Sequence, residues 1–181
     1  MSDNRYLDID VIGVEGMGEL TPRRRRGDGG VYLVVADDTE EFGVALRYVA
    51  KRAKSQRAHV GILYVISIDD FQHWSKVETL MRRELREKAE KFIWENAEKI
   101  NDLNGTIPCL YIREGVRTDS IVDVINEDLN IRALVLGGGT SAKGPGPLVS
   151  HFTSKGLGRL RVPVIVVPGN LEPQKVDSIA S

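Results

Sequence analysis

From Val31 onward, two kinds of apolar pattern alternate along the chain. VYLVVA (31–36), HVGILYVI (59–66), TIPCLYIRE (106–114), RALVLGG (132–138) and VPVIVVP (162–168) are short runs rich in β-branched residues, the pattern of strands buried on both faces. Between them apolar residues recur at helical spacing. Phe42, Leu46, Val49, Ala50 and Ala53 predict a first helix, and Trp74, Val77, Met81, Leu85, Ala89, Phe92 and Ile100 a long second one. Ile121, Val122, Ile125 and Leu129 predict a third, and a fourth begins near Leu148 and runs through Phe152, Leu157 and Leu160. Asp38 or Thr39 can cap the first helix, with Glu41 placed to close a capping box on Asp38, and Thr118 can cap the third. Gly156 and Gly158 each weaken the fourth by about 1 kcal/mol relative to alanine. Pro108 cannot donate to a ladder, which puts the third strand at an edge.

Strands alternating with helices call for a doubly wound α/β fold, an open parallel sheet of five strands with helices on both faces. The first and fourth strands are the most apolar and should be central. If they are neighbours, the strand order reverses between them, and ligands in such sheets bind beyond the strand ends at that reversal. The expected site therefore lies between Asp37 and Gly137. Residues 1–30 differ in character: Gly13, Gly16, Gly18 and Pro22 precede the run Arg23–Arg26 and then GDGG, which reads as a flexible N-terminal arm. Residues 31–168 form the predicted domain, and 169–181 a C-terminal tail.

Composition narrows the function classes. The chain has 181 residues, 41% apolar and 28% charged, with a formal net charge of −1, so it has no general attraction for nucleic acid or an anionic membrane. The arginine run lacks interleaved aromatics and reads as solvated. Cys109 is the single cysteine, so no disulfide can form within the chain, and no Cys/His cluster has metal-ligand spacing. No apolar run reaches the roughly 18 residues of a membrane helix, and the first residues are polar and acidic rather than a signal peptide. A cytoplasmic location is the expectation.

The loop VLGGGTSAKGPGPLVSHFTS (135–154) carries the candidate chemistry. Its five glycines from Gly137 to Gly146 leave backbone amides unobstructed for an anion, with Lys143, Thr140, Ser150 and His151 as further donors. Asp37 offers an acceptor to a ribose hydroxyl or a base amino group. Equally, the glycines can serve only a tight exit from the sheet, with Pro145 and Pro147 fixing the chain before a helix. Both readings stay open at this point. Gly137, Gly139 and Ala142 satisfy G-x-G-x-x-A, but no helix starts at once, and Lys143 precedes Gly144 where a phosphate-loop NTPase needs G-K-[ST]. His59, His73 and His151 are far apart and no nucleophile elbow is present, so no catalytic residues are expected.

Taken together, VYLVVADDTEEFGVALRYVAKRA, HVGILYVI and RALVLGGGTSAKGPGPLVSHFTSKGLGRLRVPVIVVP resemble the universal stress protein family over about residues 31–168. The resemblance implies an adenine nucleotide alpha-hydrolase-like sheet ordered 3-2-1-4-5 and a homodimer through the fifth strand, about Val162–Val167. Members that bind ATP carry G-x2-G-x9-G-[ST] after the fourth strand. On this sequence those four positions hold Gly137, Thr140, Ser150 and His151, so one of the four matches. By the same alignment Asp37 stands where the adenine- and ribose-facing aspartate does, Val65 beside the base, and Leu136 and Phe152 where main-chain contacts are made.

The resemblance implies one of two functions. The first is a cytoplasmic stress-response protein, a homodimeric interaction or regulatory module that has a degenerate nucleotide site and acts through its surfaces on a protein partner. The other is a stress regulator binding ATP or another adenine nucleotide, with magnesium, at Asp37 and the Gly137–Phe152 loop, any slow hydrolysis being incidental. Amides converging on a cavity next to Asp37 would favour the second.

Overall fold

The computed structural model describes residues 9–14, 17–22, 29–37, 39–67 and 78–181. In chain order the strands are β1 (Ile9–Val14), β2 (Met17–Pro22), β3 (Val31–Ala36), β4 (His59–Ser67), β5 (Cys109–Gly115), β6 (Ile131–Gly138) and β7 (Val164–Pro168). The helices are α1 (Glu40–Ser55), α2 (Glu78–Asn104), α3 (Arg117–Glu127), α4 (Pro147–Phe152) and α5 (Pro173–Ala180). One sheet contains them all in the order β1-β2-β5-β4-β3-β6-β7. Its five parallel strands, β5 to β7, have the 3-2-1-4-5 order when counted from Val31.

Alternation along the strands divides the core in two. Val34, Ala36, Val60 and Ile62 point to one face, where they pack with Leu46 and Val49 of α1 and Ile93 and Ala97 of α2. Leu33, Val35, Leu63 and Val65 point to the other, with Ile121 and Ile125 of α3 and Phe152 of α4. A one-residue slip would exchange the two sets, so both helix layers specify the register.

Two stretches outside the expected domain belong to the body. Ile9–Val14 and Met17–Pro22, within the expected arm, are antiparallel strands, and β2 pairs with β5 at Leu20↔Leu110. The run Arg23–Arg26 lies outside the described residues. The third predicted strand is thus the edge of the parallel set but carries β2 on its outer side. Pro108 precedes β5 instead of interrupting it, so no ladder bond is lost. The expected tail contains α5, whose Val176 and Ala180 are fully buried. Spaced i, i+4, they form one small apolar stripe.

α5 is also fastened to α1 by charge. Arg47 Nε and Nη2 donate to Asp177 Oδ1 and Oδ2 at 2.8 and 2.7 Å, and Lys51 Nζ lies 3.7 Å from Oδ2. The hydrogen bond from Arg47 holds the Asp177 carboxyl below the usual carboxylate range. A lowered pKa stabilises the folded state above the ordinary value near 4, and that contribution is lost as pH falls through the lowered one. Asp177→Asn is therefore expected to lower the melting temperature at about pH 7, with the difference from the parent shrinking as pH falls below the ordinary carboxylate range. The effect is modest, because both partners are about one third exposed (33% and 35%).

Other local expectations are met in part. The α1 N-cap is Thr39, whose Oγ1 accepts from Phe42 N at 3.3 Å, whereas Asp38 lies outside the described residues. Trp74 and Val77 also lie outside them, and α2 is described from Glu78. Thr118 is inside α3, whose N-cap is Val116 without a side-chain cap bond. The fourth helix ends at Phe152 and gives way to turns and a short 3-10 segment at Leu157–Arg159. Gly156 is buried there against His151, in line with the weak helix its glycines predict.

Candidate functional site

β3 and β6 pair side by side, so the segments leaving their carboxyl ends diverge and open a cleft. Asp37 follows β3 and Gly137 lies near the end of β6. Between them is a cavity of about 340 Å³. Asp37, Leu136 and Gly137 all line it, together with Thr39 and Glu41 of the α1 start, Arg117 of α3, and Lys143, Gly144 and Gly146 of the loop.

Glycine at 137 is required by close approach. A Cβ there would lie 2.5 Å from the Glu41 carbonyl oxygen and 2.9 Å from the Glu41 Cβ. Similar crowding by Glu41 occurs at Gly169, where a Cβ would stand 2.3 Å from Glu41 Cγ. The first turn of α1 therefore rests directly on the ends of β6 and β7. Gly144 and Gly146 meet a different need: their φ values of 87° and 94° are left-handed, and a Cβ at either would meet open space.

The loop is closed on itself. Gly139 N donates to the Pro145 carbonyl at 3.2 Å, Gly144 N to the Ser141 carbonyl at 3.0 Å, and Lys143 N to Ser141 Oγ at 3.3 Å. These three amides already have acceptors within the loop. Asp37 is likewise engaged: its Oδ1 accepts from Thr39 N at 3.2 Å and from Thr39 Oγ1 at 2.5 Å. This turn fixes the carboxylate at the cavity wall.

The other expected site residues are not brought to this cavity. Thr140 and Ser150 are exposed and do not line it, Val65 is buried in the core of the α3 face, and Phe152 is completely buried there. His151 lines a neighbouring cavity of about 440 Å³, with Ser67 and Thr118. Its Nε2 edge is packed against Gly156, and Nε2 is buried without a hydrogen-bond partner among the described residues. The ring meets Phe152 edge-on, centroids 4.9 Å apart. His151, at a motif position, is thus engaged in packing near the end of α4.

Arg117 is the residue that sequence reasoning missed. It forms a shared wall of the two cavities with Pro147 and Leu148. The available signal was its position directly after the strand-ending Gly115-Val116, at the same end of the sheet as Asp37. Among the described residues, neither Arg117 nor Lys143 forms an ion pair or a side-chain hydrogen bond. No group of His, Cys, Asp and Glu among them could hold a metal ion, and no helix among them is long and apolar enough to cross a membrane.

Comparison with known proteins gives a consistent picture. The solved structure of universal stress protein UspA from Lactobacillus plantarum is 17% identical, covers 78% of this chain and 99% of its own, and superposes with a TM-score of 0.63. A universal stress protein family member from Burkholderia pseudomallei is 15% identical over 80% of this chain and 99% of its own, with a TM-score of 0.57. At these identities the likeness is one of fold. No curated protein matches the chain. The model of the universal stress protein family matches residues 32–168, which include every parallel strand except the first residue of β3, and the chain therefore belongs to that family.

Proposed function

We propose that this protein is a cytoplasmic stress-response module, homodimeric and regulatory, that acts through its surfaces on a protein partner and does not grip a nucleoside triphosphate with its loop. One observation carries the reading: the amides of Gly139, Lys143 and Gly144 already have acceptors within the loop. A glycine-rich phosphate cradle works by presenting such amides to anionic oxygens. Ser150 and His151, standing where the family motif has its last glycine and Ser/Thr, also fail to reach the cavity. The activity proposed is binding, since among the described residues no side-chain arrangement suggests catalysis.

Calorimetric titration of the nucleotide-stripped protein with magnesium-ATP tests this. No saturation is expected up to millimolar concentration. Saturable, tight binding that disappears in Asp37→Ala would refute the reading and establish the ATP-binding regulator instead.

The dimer is argued from the edge of the sheet. Val164, Ile165 and Val166 of β7 are only half-buried, and among the described residues no strand pairs with their outer side. A flat apolar edge of this kind is a template for another chain unless it is covered. A second copy paired about Val162–Val167 would provide that cover. Sedimentation equilibrium at micromolar protein is expected to give twice the 20.1 kDa chain mass; a monomer under those conditions would contradict the assembly.

A further inference from the structure

At the end of the parallel strands opposite Asp37, a groove of about 330 Å³ lies between the last turns of α2 and the residues that precede β5. Trp94, Glu98 and Asp102 line it from the helix, and Ile107 and Pro108 from the other side. We propose that this groove is the docking site of the chain's own arginine run, Arg23–Arg26, whose guanidinium groups pair with Glu98 and Asp102 and stack on the Trp94 ring. The contact is separate from the cleft at Asp37 and from the β7 edge, and it replaces the solvated run expected from sequence.

The groove has the chemistry of a guanidinium site. Neither Glu98 nor Asp102 forms an ion pair or a side-chain hydrogen bond among the described residues. Lys99, next to Glu98 in sequence, donates its Nζ to Asn96 Oδ1 at 3.1 Å instead. The last turn of the 27-residue α2 holds no basic residue, so the partial negative charge of its free carbonyls adds to that of the two carboxylates. Trp94 is 45% exposed, and a planar cation laid on its face covers the ring while being attracted to it. Arginine suits this combination better than lysine, because a guanidinium pairs with carboxylates as a planar fork and stacks on aromatic rings.

Chain connectivity brings the run to the groove. Arg23–Arg26 lie outside the described residues, but the backbone is placed on both sides of them. β2 is antiparallel to β5 with Leu20 opposite Leu110, and continuing that register sets Pro22, the last residue of β2, level with Pro108 in the groove wall. Arg23 is the next residue. The described chain resumes at Gly29, whose N–H donates to the Arg57 carbonyl at 3.0 Å just before β3. From β2 to β3 there are three strand spacings, about 14 Å, and residues 23–28 extend to about 20 Å at most. The run therefore stays at the end of the sheet where the groove opens, and its tether gives it an effective concentration that an arginine-bearing segment of another molecule lacks.

Limited trypsin digestion of the folded full chain, with cleavage within 23–26 followed by mass spectrometry, tests the contact. The double variant Glu98→Gln, Asp102→Asn is expected to be cut there about fivefold faster than the parent. Fluorescence provides a second readout. With Trp74→Phe, Trp94 is the single tryptophan. Its quenching by acrylamide is expected to rise about twofold in the quadruple variant Arg23→Ser, Arg24→Ser, Arg25→Ser, Arg26→Ser, and to rise likewise without that change in about 1 M salt, where screening acts over about 3 Å. Acetylated tetra-arginine amide at millimolar concentration should restore the shielding to the serine variant. Combining the serine changes with Glu98→Gln and Asp102→Asn should add no further quenching, as for partners in one contact. Melting curves verify that each variant folds. Equal cleavage of the parent and the double variant, or quenching of Trp94 indifferent to the arginine run, would overturn the proposal. Shielding of Trp94 that grows with protein concentration after the run is removed would also overturn it, assigning the groove to a second copy.

Discussion

Phe152→Ala is expected to destabilise the protein by about 4 kcal/mol, measured as a shift in the urea midpoint at unchanged slope and as a fall in melting temperature of about 10 °C. The ring is completely buried, in the cluster that joins the α3 face of the sheet to α4. Removing it deletes the largest side chain α4 contributes, and an α4 of six residues has little else to hold it on β6. The cost combines lost transfer free energy with a cavity the surrounding strands cannot close. A change below about 1 kcal/mol would mean that α4 is not seated on the sheet as described. The result bears on function because α4 follows the loop that walls the cavity, so a displaced α4 should also disturb Pro147 and Leu148 between the two cavities.

Gly137→Ala is the second large effect, with an expected loss of about 2–3 kcal/mol. The added methyl group would stand 2.5 Å from a backbone oxygen of Glu41 and 2.6 Å from its carbonyl carbon. Flexible side chains can yield to such a contact, but backbone in the first turn of a helix yields only by moving the helix. α1 must then lift from the ends of β6 and β7, taking Thr39 and Glu41 away from the cavity. Unfolding in urea reads the stability loss. Gly144→Ala provides an informative contrast: its Cβ meets open space, so the penalty is one of a left-handed φ alone and should be about 1 kcal/mol. Equal losses at 137 and 144 would contradict the close packing of Glu41.

The layout of the sheet was legible because it depends on apolar content, which sequence states openly. The runs at 31–36 and 132–138 are the most apolar, and the structure makes them central neighbours, placing Asp37 and Gly137 on facing sides of one cleft. What was not legible depends on neighbours in space. Nothing local to Glu41 says that Gly137 and Gly169 make room for it, or that the Nε2 edge of His151 is sealed against Gly156. Arg117 looked like an ordinary residue before a capping threonine, since only the crossover from β5 to α3 brings it to the loop. Pairing of β2 with β5 likewise needs a partner ninety positions away, at Leu20↔Leu110. The α5 helix did have a local sign, Val176 and Ala180 spaced i, i+4 behind Pro173, in a stretch short enough to pass for a tail.

The regulatory reading also gives the degenerate loop a physical role. A loop that closes through Gly139–Pro145 and Gly144–Ser141 bonds has fewer open donors to present. The side chains lining the same cavity include those of Asp37, Glu41, Arg117 and Lys143.

Amide-resolved NMR of the full chain, before and after magnesium-ATP, tests the central claim most directly, since it reads the donors themselves. The account predicts that Gly139, Lys143 and Gly144 retain their resonance positions and their protection from exchange, because their hydrogen bonds remain within the loop. Large, saturable shifts running through Gly137, Gly139, Lys143 and Gly144 together would show the loop gripping the triphosphate and would contradict it.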